Sequence, residues 1–172
     1  MYSREHTLVV RNSDDFFPNK EGGFKNHITQ NVYHAVFNDD LCCCDFDMWW
    51  TNHVEARQSI VLRMLSGGPV YISDEVGETN EKYLKQIMAE NGKIIRCENA
   101  PKPTADCLFG YDKVLKIYNK LGDKYIVGIF NLSDKEEKVS FKLSDIYESG
   151  SFDAELYFAK EKKAITDNEI QL

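Results

Sequence analysis

The sequence is poor in the features that mark membrane, secreted, metal-binding and nucleic-acid-binding proteins. No apolar run approaches the roughly 20 residues of a helical membrane span, which excludes that class. The opening Met1-Tyr2-Ser3-Arg4-Glu5-His6 lacks a basic segment followed by an apolar stretch and a small-residue cleavage site, so a cytoplasmic location is expected. The five cysteines cannot all pair within one chain. Three of them, Cys42, Cys43 and Cys44, are adjacent in an apolar stretch where cysteine behaves as a small hydrophobe, and reduced core thiols are expected. Cys97 and Cys107 are far apart, and the four histidines (His6, His27, His34, His53) form no regular ligand spacing, so neither a metal nor another cofactor is expected. The net charge of −7 is spread along the chain, without the clustered Lys and Arg that a phosphate backbone demands.

What remains is an ordinary soluble composition, 42% hydrophobic and 28% charged. The 172 residues suffice for one good core, or a small domain and part of another, but are short for a complete barrel enzyme. Thr7 to Val10 is a short β-branched run ending in the polar string Arg11-Asn12-Ser13-Asp14-Asp15, with Pro18 and Gly22-Gly23 beyond it. From Asn26 to Phe37 the period becomes helical, with Ile28, Val32, Ala35 and Val36 on one side. The cycle repeats: Leu41 to Cys44 reads as a strand, Asp45-Phe46-Asp47 as its closing loop, and Val54 to Leu65 as a helix facing inward through Ile60, Val61, Met64 and Leu65. A third unit runs from Pro69-Val70-Tyr71-Ile72 through Ser73-Asp74-Glu75 to a helix over Asn80 to Ala89, closed by Gly92. Strands alternating with helices imply a parallel sheet, in which polar residues just past the strand ends carry the chemistry.

Beyond Gly92 the pattern changes. Lys93 to Cys97, Asp106 to Gly110, Val114 to Tyr118, Tyr125 to Asn131 and Val139 to Leu143 read as strands separated by turn residues, which predicts an antiparallel β domain. The boundary is expected near Gly92, dividing residues 1–92 from 93–172, with Asn99 to Thr104 as a rigid extended junction.

Carboxylates at strand ends suit glycoside hydrolysis, where one acid protonates the leaving oxygen and a second carboxylate attacks or activates water. On pattern alone, Arg11, Asp14 and Asp15 are equally well a salt-bridged loop. Trp49 and Trp50 either stack on a sugar face or pack between loop and domain. Ser73 and Asp74 either reach a pocket rim or cap the next helix.

The string Val10-Arg11-Asn12-Ser13-Asp14-Asp15-Phe16-Phe17-Pro18 resembles the Arg-x-Ser-Asp-Asp-Phe-Tyr-Pro segment of the raffinose synthase, stachyose synthase and alkaline α-galactosidase (seed imbibition) family. Asp45-Phe46-Asp47-Met48 resembles its Asp-Trp-Asp-Met, and Gly67-Gly68-Pro69-Val70-Tyr71-Ile72-Ser73-Asp74 its Gly-Gly-x-Pro-x-Tyr-x-Ser-Asp. Pro103-Thr104 with Asp106-Cys107-Leu108-Phe109, Leu115 to Asn119 and Val127 to Asn131 resemble further family segments in the family's order.

This resemblance implies the C-terminal part of a (β/α)8 TIM barrel, about three β/α units, followed by an antiparallel β-sandwich. Arg11 and Asp15 match the spacing of the α-galactosidase clan's arginine and its acid/base aspartate. The resemblance thus implies Asp15 as general acid/base, Asp14 as second candidate, and Arg11 as either a ligand of sugar hydroxyls or a group that tunes the carboxyl. It implies substrate contacts from Asp47 and Met48, with Asp45 a neighbour that also reads as loop structure; Trp49 is a candidate substrate contact on its aromatic character alone. The clan's nucleophile lies in a Lys-x-Asp motif on an earlier strand, which nothing before Thr7 supplies. The expectation is therefore a C-terminal piece of a retaining enzyme acting on α-galactosides of the raffinose series, inactive alone, or else a non-catalytic carbohydrate-binding remnant. Strands without barrel neighbours expose backbone groups, so association with the missing barrel portion or with a second copy is also expected.

Overall fold

The computed structural model describes residues 7–157, 161–165 and 169–172. The chain forms two compact units, one ending at Lys102 and including Ile117–Gly128, the other made of Pro103–Lys116 and Ile129–Leu172.

In the first unit, strand β1 (Val9–Arg11) leads to helix α1 (Gly23–Asn38), strand β2 (Cys43–Asp45), helix α2 (Ala56–Leu65) and the short helix α3 (Glu81–Leu84). β1 and β2 pair in parallel, with Val9 opposite Cys43, Val10 opposite Cys44 and Arg11 opposite Asp45. Parallel pairing needs a crossover, and α1 provides it. The inward face of α1 is Phe24, His27, Ile28, Asn31, Val32 and Ala35, an unbroken three-and-four spacing. Val36, expected on that face, is exposed because its position falls one step past the buried stripe. On α2 the buried side carries Ile60, Leu62, Arg63 and Leu65, while Val61 and Met64 are only half-buried.

The third expected β/α unit is much reduced. Pro69 to Ile72 contributes one parallel bridge, Trp49 opposite Ile72, in which the Trp49 N–H donates to Tyr71 O and the Ser73 N–H to Trp49 O, each at 2.9 Å. Pro69 has no N–H to extend a ladder. The segment instead approaches β2 through glycine: a Cβ on Gly68 would lie 1.9 Å from Cys44 O. The following helix stops early, passing into a 3-10 turn at Lys85–Ile87. The reason is a tight return: Ala89 N–H donates to Lys93 O at 2.8 Å and Ile95 N–H to Ile87 O at 2.7 Å, with Gly92 at φ +79. Lys93 to Cys97 is therefore a loop with one antiparallel bridge, Met88 to Ile94, rather than the expected strand.

Residues past Gly92 also anchor to the first unit. Cys97 Sγ lies against Met64 O, the Ala100 N–H donates to Asp39 at 2.7 Å, and Asn119 Nδ2 donates to both Leu65 O (2.7 Å) and Asn99 O (2.6 Å). These bonds account for a compact-unit boundary at Lys102, where the change of sequence character near Gly92 had suggested an earlier one.

Strands β4 (Val114–Leu121) and β5 (Lys124–Asn131) form a three-stranded sheet with β3 (Lys102–Pro103), in the order β3-β4-β5. The second unit adds two antiparallel pairs. β6 (Ser140–Lys142) pairs with β9 (Glu169–Gln171), and β7 (Phe152–Leu156) with β8 (Glu161–Ile165). The strand expected at Asp106 to Gly110 is absent. Thr104 donates its hydroxyl to Asp106 at 2.7 Å and its carbonyl receives the Cys107 N–H at 2.9 Å, which winds Ala105–Cys107 into a 3-10 turn. Lys116, nearly buried in this unit, is held by Asp106 (2.7 Å), Asp145 (3.2 Å) and Ser140 O (3.0 Å). Burial works against its charge, but the bonds to the two aspartates outweigh this and raise its pKa.

All five cysteines are free thiols. Cys44, Cys97 and Cys107 are core residues as expected, while Cys43 points outward because β-strand neighbours alternate sides. Burial pushes the Cys44 and Cys97 thiols up to about 11.

Candidate active site

The parallel register sets the site. Arg11 closes β1 directly opposite Asp45 at the end of β2, and its Nε donates to Asp45 Oδ2 at 3.0 Å. The other guanidinium nitrogens are also engaged. Nη1 meets Asp15 Oδ1 at 3.0 Å and Asp47 Oδ1 at 2.7 Å, and Nη2 donates to the Tyr71 hydroxyl at 2.7 Å. A planar fork with five donors can hold three carboxylates and a phenol at once, which a lysine cannot. Burial acts against the Arg11 charge, but the hydrogen bond to Asp45 and the charges of Asp47 and Asp45 override it, so its pKa rises above the ordinary value.

Asp47 has left-handed backbone geometry (φ 69), tolerated by Asp better than by most residues. The conformation is fixed on both sides. Its N–H donates to Asp45 Oδ1 at 2.8 Å, its Oδ2 receives the Phe16 N–H at 2.5 Å, and the next carbonyl, Met48 O, receives Arg63 Nη2 at 2.6 Å. Arg63 is completely buried on α2. Burial lowers its pKa to about 10, with Asp47 and Asp45 opposing the fall. Beside it, His27 stacks on Phe16 at 4.3 Å between ring centroids. Burial, with the charges of Arg63 and Arg11, drives the His27 pKa down to about 2.

Exposure separates the expected site residues. Asp15, with 62% of its side chain open, and Arg11, with 36%, are the most exposed groups of this cluster; Asp45 and Tyr71 are partly covered and Asp47 is wholly enclosed. Asp14 is exposed, and its N–H, not its carboxylate, is engaged, donating to Gln30 at 3.0 Å. Trp49 is fully buried and presents no ring face to a ligand, which is the packing alternative for this residue. Trp50 is half-buried and donates Nε1–H to Phe16 O at 3.0 Å. Asp74 caps no helix. It receives the Thr51 N–H (2.8 Å) and hydroxyl (2.5 Å), and the cap of α3 is Asn80, which receives the Lys82 N–H.

Three residues of this cluster carried no assigned role in the sequence: Tyr71, Arg63 and His27. Tyr71 stands in a run that reads as a buried strand, and Arg63 in an ordinary helix period. A tyrosine two residues before Ser73-Asp74 was the available signal for the first. The cluster itself is rich in acceptors: three carboxylates face one arginine. At the open side of the cluster, the exposed Asp15 carboxylate and the partly exposed Arg11 offer an acceptor and donors to a polyhydroxyl ligand.

The structure resembles glycoside hydrolases. A GH27 β-L-arabinopyranosidase from Geobacillus stearothermophilus superposes with a TM-score of 0.76 at 17% identity, covering 98% of this chain and 42% of that enzyme. A variant of the same enzyme in complex with arabinose gives the same TM-score and identity, with 43% of its chain covered. The chain thus shares the fold of part of that enzyme.

The chain belongs to the family described as raffinose synthase or seed imbibition protein Sip1, whose profile matches residues 1–144. Among its relatives, a probable galactinol–sucrose galactosyltransferase 6 from Arabidopsis thaliana is 32% identical over 136 residues, 76% of this chain and 18% of that protein. The galactinol–sucrose galactosyltransferase of Pisum sativum is 34% identical over 140 residues, 74% of this chain and 18% of the relative. The stachyose synthase of Pisum sativum is 34% identical over 112 residues, 61% of this chain and 13% of the relative. The chain therefore spans less than a fifth of the length of these relatives. Among the described residues no helix is long and apolar enough to cross a membrane.

Proposed function

We propose that this chain carries the acid/base side of an active centre for α-galactosides of the raffinose series, working by retaining hydrolysis or galactosyl transfer. Asp15 is the general acid that protonates the leaving oxygen and then the base that activates the incoming water or sugar hydroxyl. Arg11 holds sugar hydroxyls and orients Asp15, and Asp47 acts through Arg11, sharing its Nη1. Asp14 is the second candidate for the acid/base role, and Met48, half-buried next to Asp47, is a substrate contact. The observation that carries this reading is the Arg11 fork, which gathers Asp15, Asp45, Asp47 and Tyr71 at the ends of adjacent parallel segments. Family membership and the galactosyl-transfer names of the relatives support it.

The sequence contains no Lys-x-Asp segment, the motif to which the clan resemblance assigns the nucleophile. The covalent half of the reaction therefore comes from a barrel portion outside these residues, and association with it, or between copies, follows from the short β1–β2 sheet. The same observation favours a second reading, a carbohydrate-binding remnant without turnover.

The test is hydrolysis of an aryl α-galactoside by this chain alone and by the chain joined to the N-terminal barrel portion of the pea galactosyltransferase. The proposal expects turnover only in the joined protein, abolished by Asp15→Asn and largely kept in Asp14→Asn. Sugar binding without turnover in the joined protein would establish the remnant reading instead.

A further inference from the structure

We propose that Tyr71 is the positioning residue that fixes the Arg11 guanidinium against Asp15, an inference that rests on the reading of this centre as α-galactoside-active. Its hydroxyl lies 2.7 Å from Arg11 Nη2, 3.2 and 3.3 Å from the two Asp45 oxygens and 3.3 Å from Asp47 Oδ1. A phenol has one proton to give and lone pairs to receive. Since Nη2 can only donate, the Tyr71 oxygen accepts from Arg11, and its own proton goes to Asp45 or Asp47. The oxygen thus closes a ring of charged groups in which every other link to Arg11 is a carboxylate. Among the described residues it is the one partner of Nη2, and with Asp45 on Nε and Asp47 on Nη1 it holds the guanidinium plane that aims Nη1 at Asp15.

The phenol is itself held from behind. Tyr71 O receives the Trp49 N–H at 2.9 Å, and the chain three residues earlier touches β2 at Gly68, where no side chain fits. These two backbone contacts fix the main chain from which the phenol projects, and the hydroxyl's own bonds to Arg11, Asp45 and Asp47 place its end. Burial raises the pKa of the phenol to about 12, with the Asp45 charge adding to it and Arg11 opposing, so it stays a neutral donor throughout the ordinary range. Tyr71→Phe removes only the oxygen, leaving Nη2 without its partner while the ring keeps its packing.

Two experiments test the inference. In the full 172-residue chain, tyrosine labelled at Cζ is observed by NMR, and the Tyr71 signal is identified by its loss in Tyr71→Phe. At pH 10.5 an ordinary phenol, with a pKa near about 10, is mostly ionised. Tyr71 is expected to remain protonated there, and Asp45→Asn to increase its ionised share. A Tyr71 that ionises like a free phenol overturns the cluster and the inference with it.

In the joined protein, Tyr71→Phe is expected to lower kcat for an aryl α-galactoside about 10- to 100-fold, the range for losing a hydrogen bond to a charged group. KM should change much less. In an Arg11→Lys background, which has no Nη2, the same substitution should cost less than about threefold, because a residue acting through Arg11 has nothing left to position. An equal loss in both backgrounds, or no loss in either, overturns the role of Tyr71. If Asp15→Asn keeps full activity, or the joined wild-type protein has none, the functional reading fails and this inference falls with it.

Discussion

Gly68→Ala is the sharpest structural perturbation available. A Cβ there would stand 1.9 Å from Cys44 O and 3.1 Å from Cys44 C, both backbone atoms of β2. Carbon and carbonyl oxygen meet comfortably only beyond about 3.3 Å, so the segment must retreat by more than about 1 Å. Such a retreat breaks the bridge at Trp49, where two backbone hydrogen bonds of 2.9 Å each contribute about 1 kcal/mol net. It also draws Tyr71 from Arg11 Nη2, a bond to a charged group worth about 1.5–3 kcal/mol. The sum, about 4 kcal/mol, corresponds to a fall of roughly 10 °C in Tm for a chain of this size. Gly77→Ala is the control: Gly77 has φ +90 and nothing within 4 Å of the added Cβ, so only backbone strain of about 1–2 kcal/mol is expected. Thermal unfolding followed by circular dichroism compares the two. If Gly68→Ala melts no lower than Gly77→Ala, the close approach of Gly68 to β2 is not real and the placement of Tyr71 argued from it falls.

Two further outcomes follow from the buried charges. His27 has a folded pKa of about 2 against an ordinary value near about 6.5, so its neutral form costs nothing above pH 6.5, and stability is lost progressively as pH falls from there towards 2. At pH 4.5 the loss attributable to His27 is about 2–3 kcal/mol, and in His27→Gln the urea midpoint should fall less between pH 7 and pH 4.5 than in the wild type. An identical pH dependence in both proteins would refute that assignment. Lys116→Met leaves Asp106 and Asp145 without their shared cation and should destabilise the chain by about 2 kcal/mol in urea titrations, an effect absent if the lysine is merely solvated.

Much of the first unit was legible from periodicity, because α1 buries one uninterrupted stripe and β1 and β2 are short apolar runs ending in charge. Arg11 and Asp15 were legible as a pair only through the family resemblance, because pattern alone left Arg11, Asp14 and Asp15 equally well a salt-bridged loop; the structure brings Arg11 Nη1 and Asp15 Oδ1 to 3.0 Å. Periodicity failed where backbone hydrogen bonds between near neighbours competed with it. The apolar residues around Ile87 look helical, but the return at Gly92 claims their carbonyls and N–H groups for Lys93 and Ile95. Likewise Asp106 to Gly110 looks extended until Thr104 recruits it into a turn. Pattern could not distinguish an aromatic that packs from one that touches ligand, and Trp49 and Tyr71 illustrate both outcomes: the first is enclosed, the second bonds to Arg11. Nor could it show that Asp47 lies wholly behind Arg11, since burial of a carboxylate depends on partners from three separate segments.

The most direct test of the central claim is chemical rescue of Asp15→Ala in the protein joined to its barrel portion, using an aryl α-galactoside with a good leaving group and added azide. If Asp15 is the acid/base of a retaining centre, the galactosyl intermediate still forms without acid assistance and azide enters from the face Asp15 vacated, giving α-galactosyl azide and restored turnover. Formation of the β-anomer, which would make Asp15 the nucleophile, or full activity of Asp15→Ala without azide, would contradict the account.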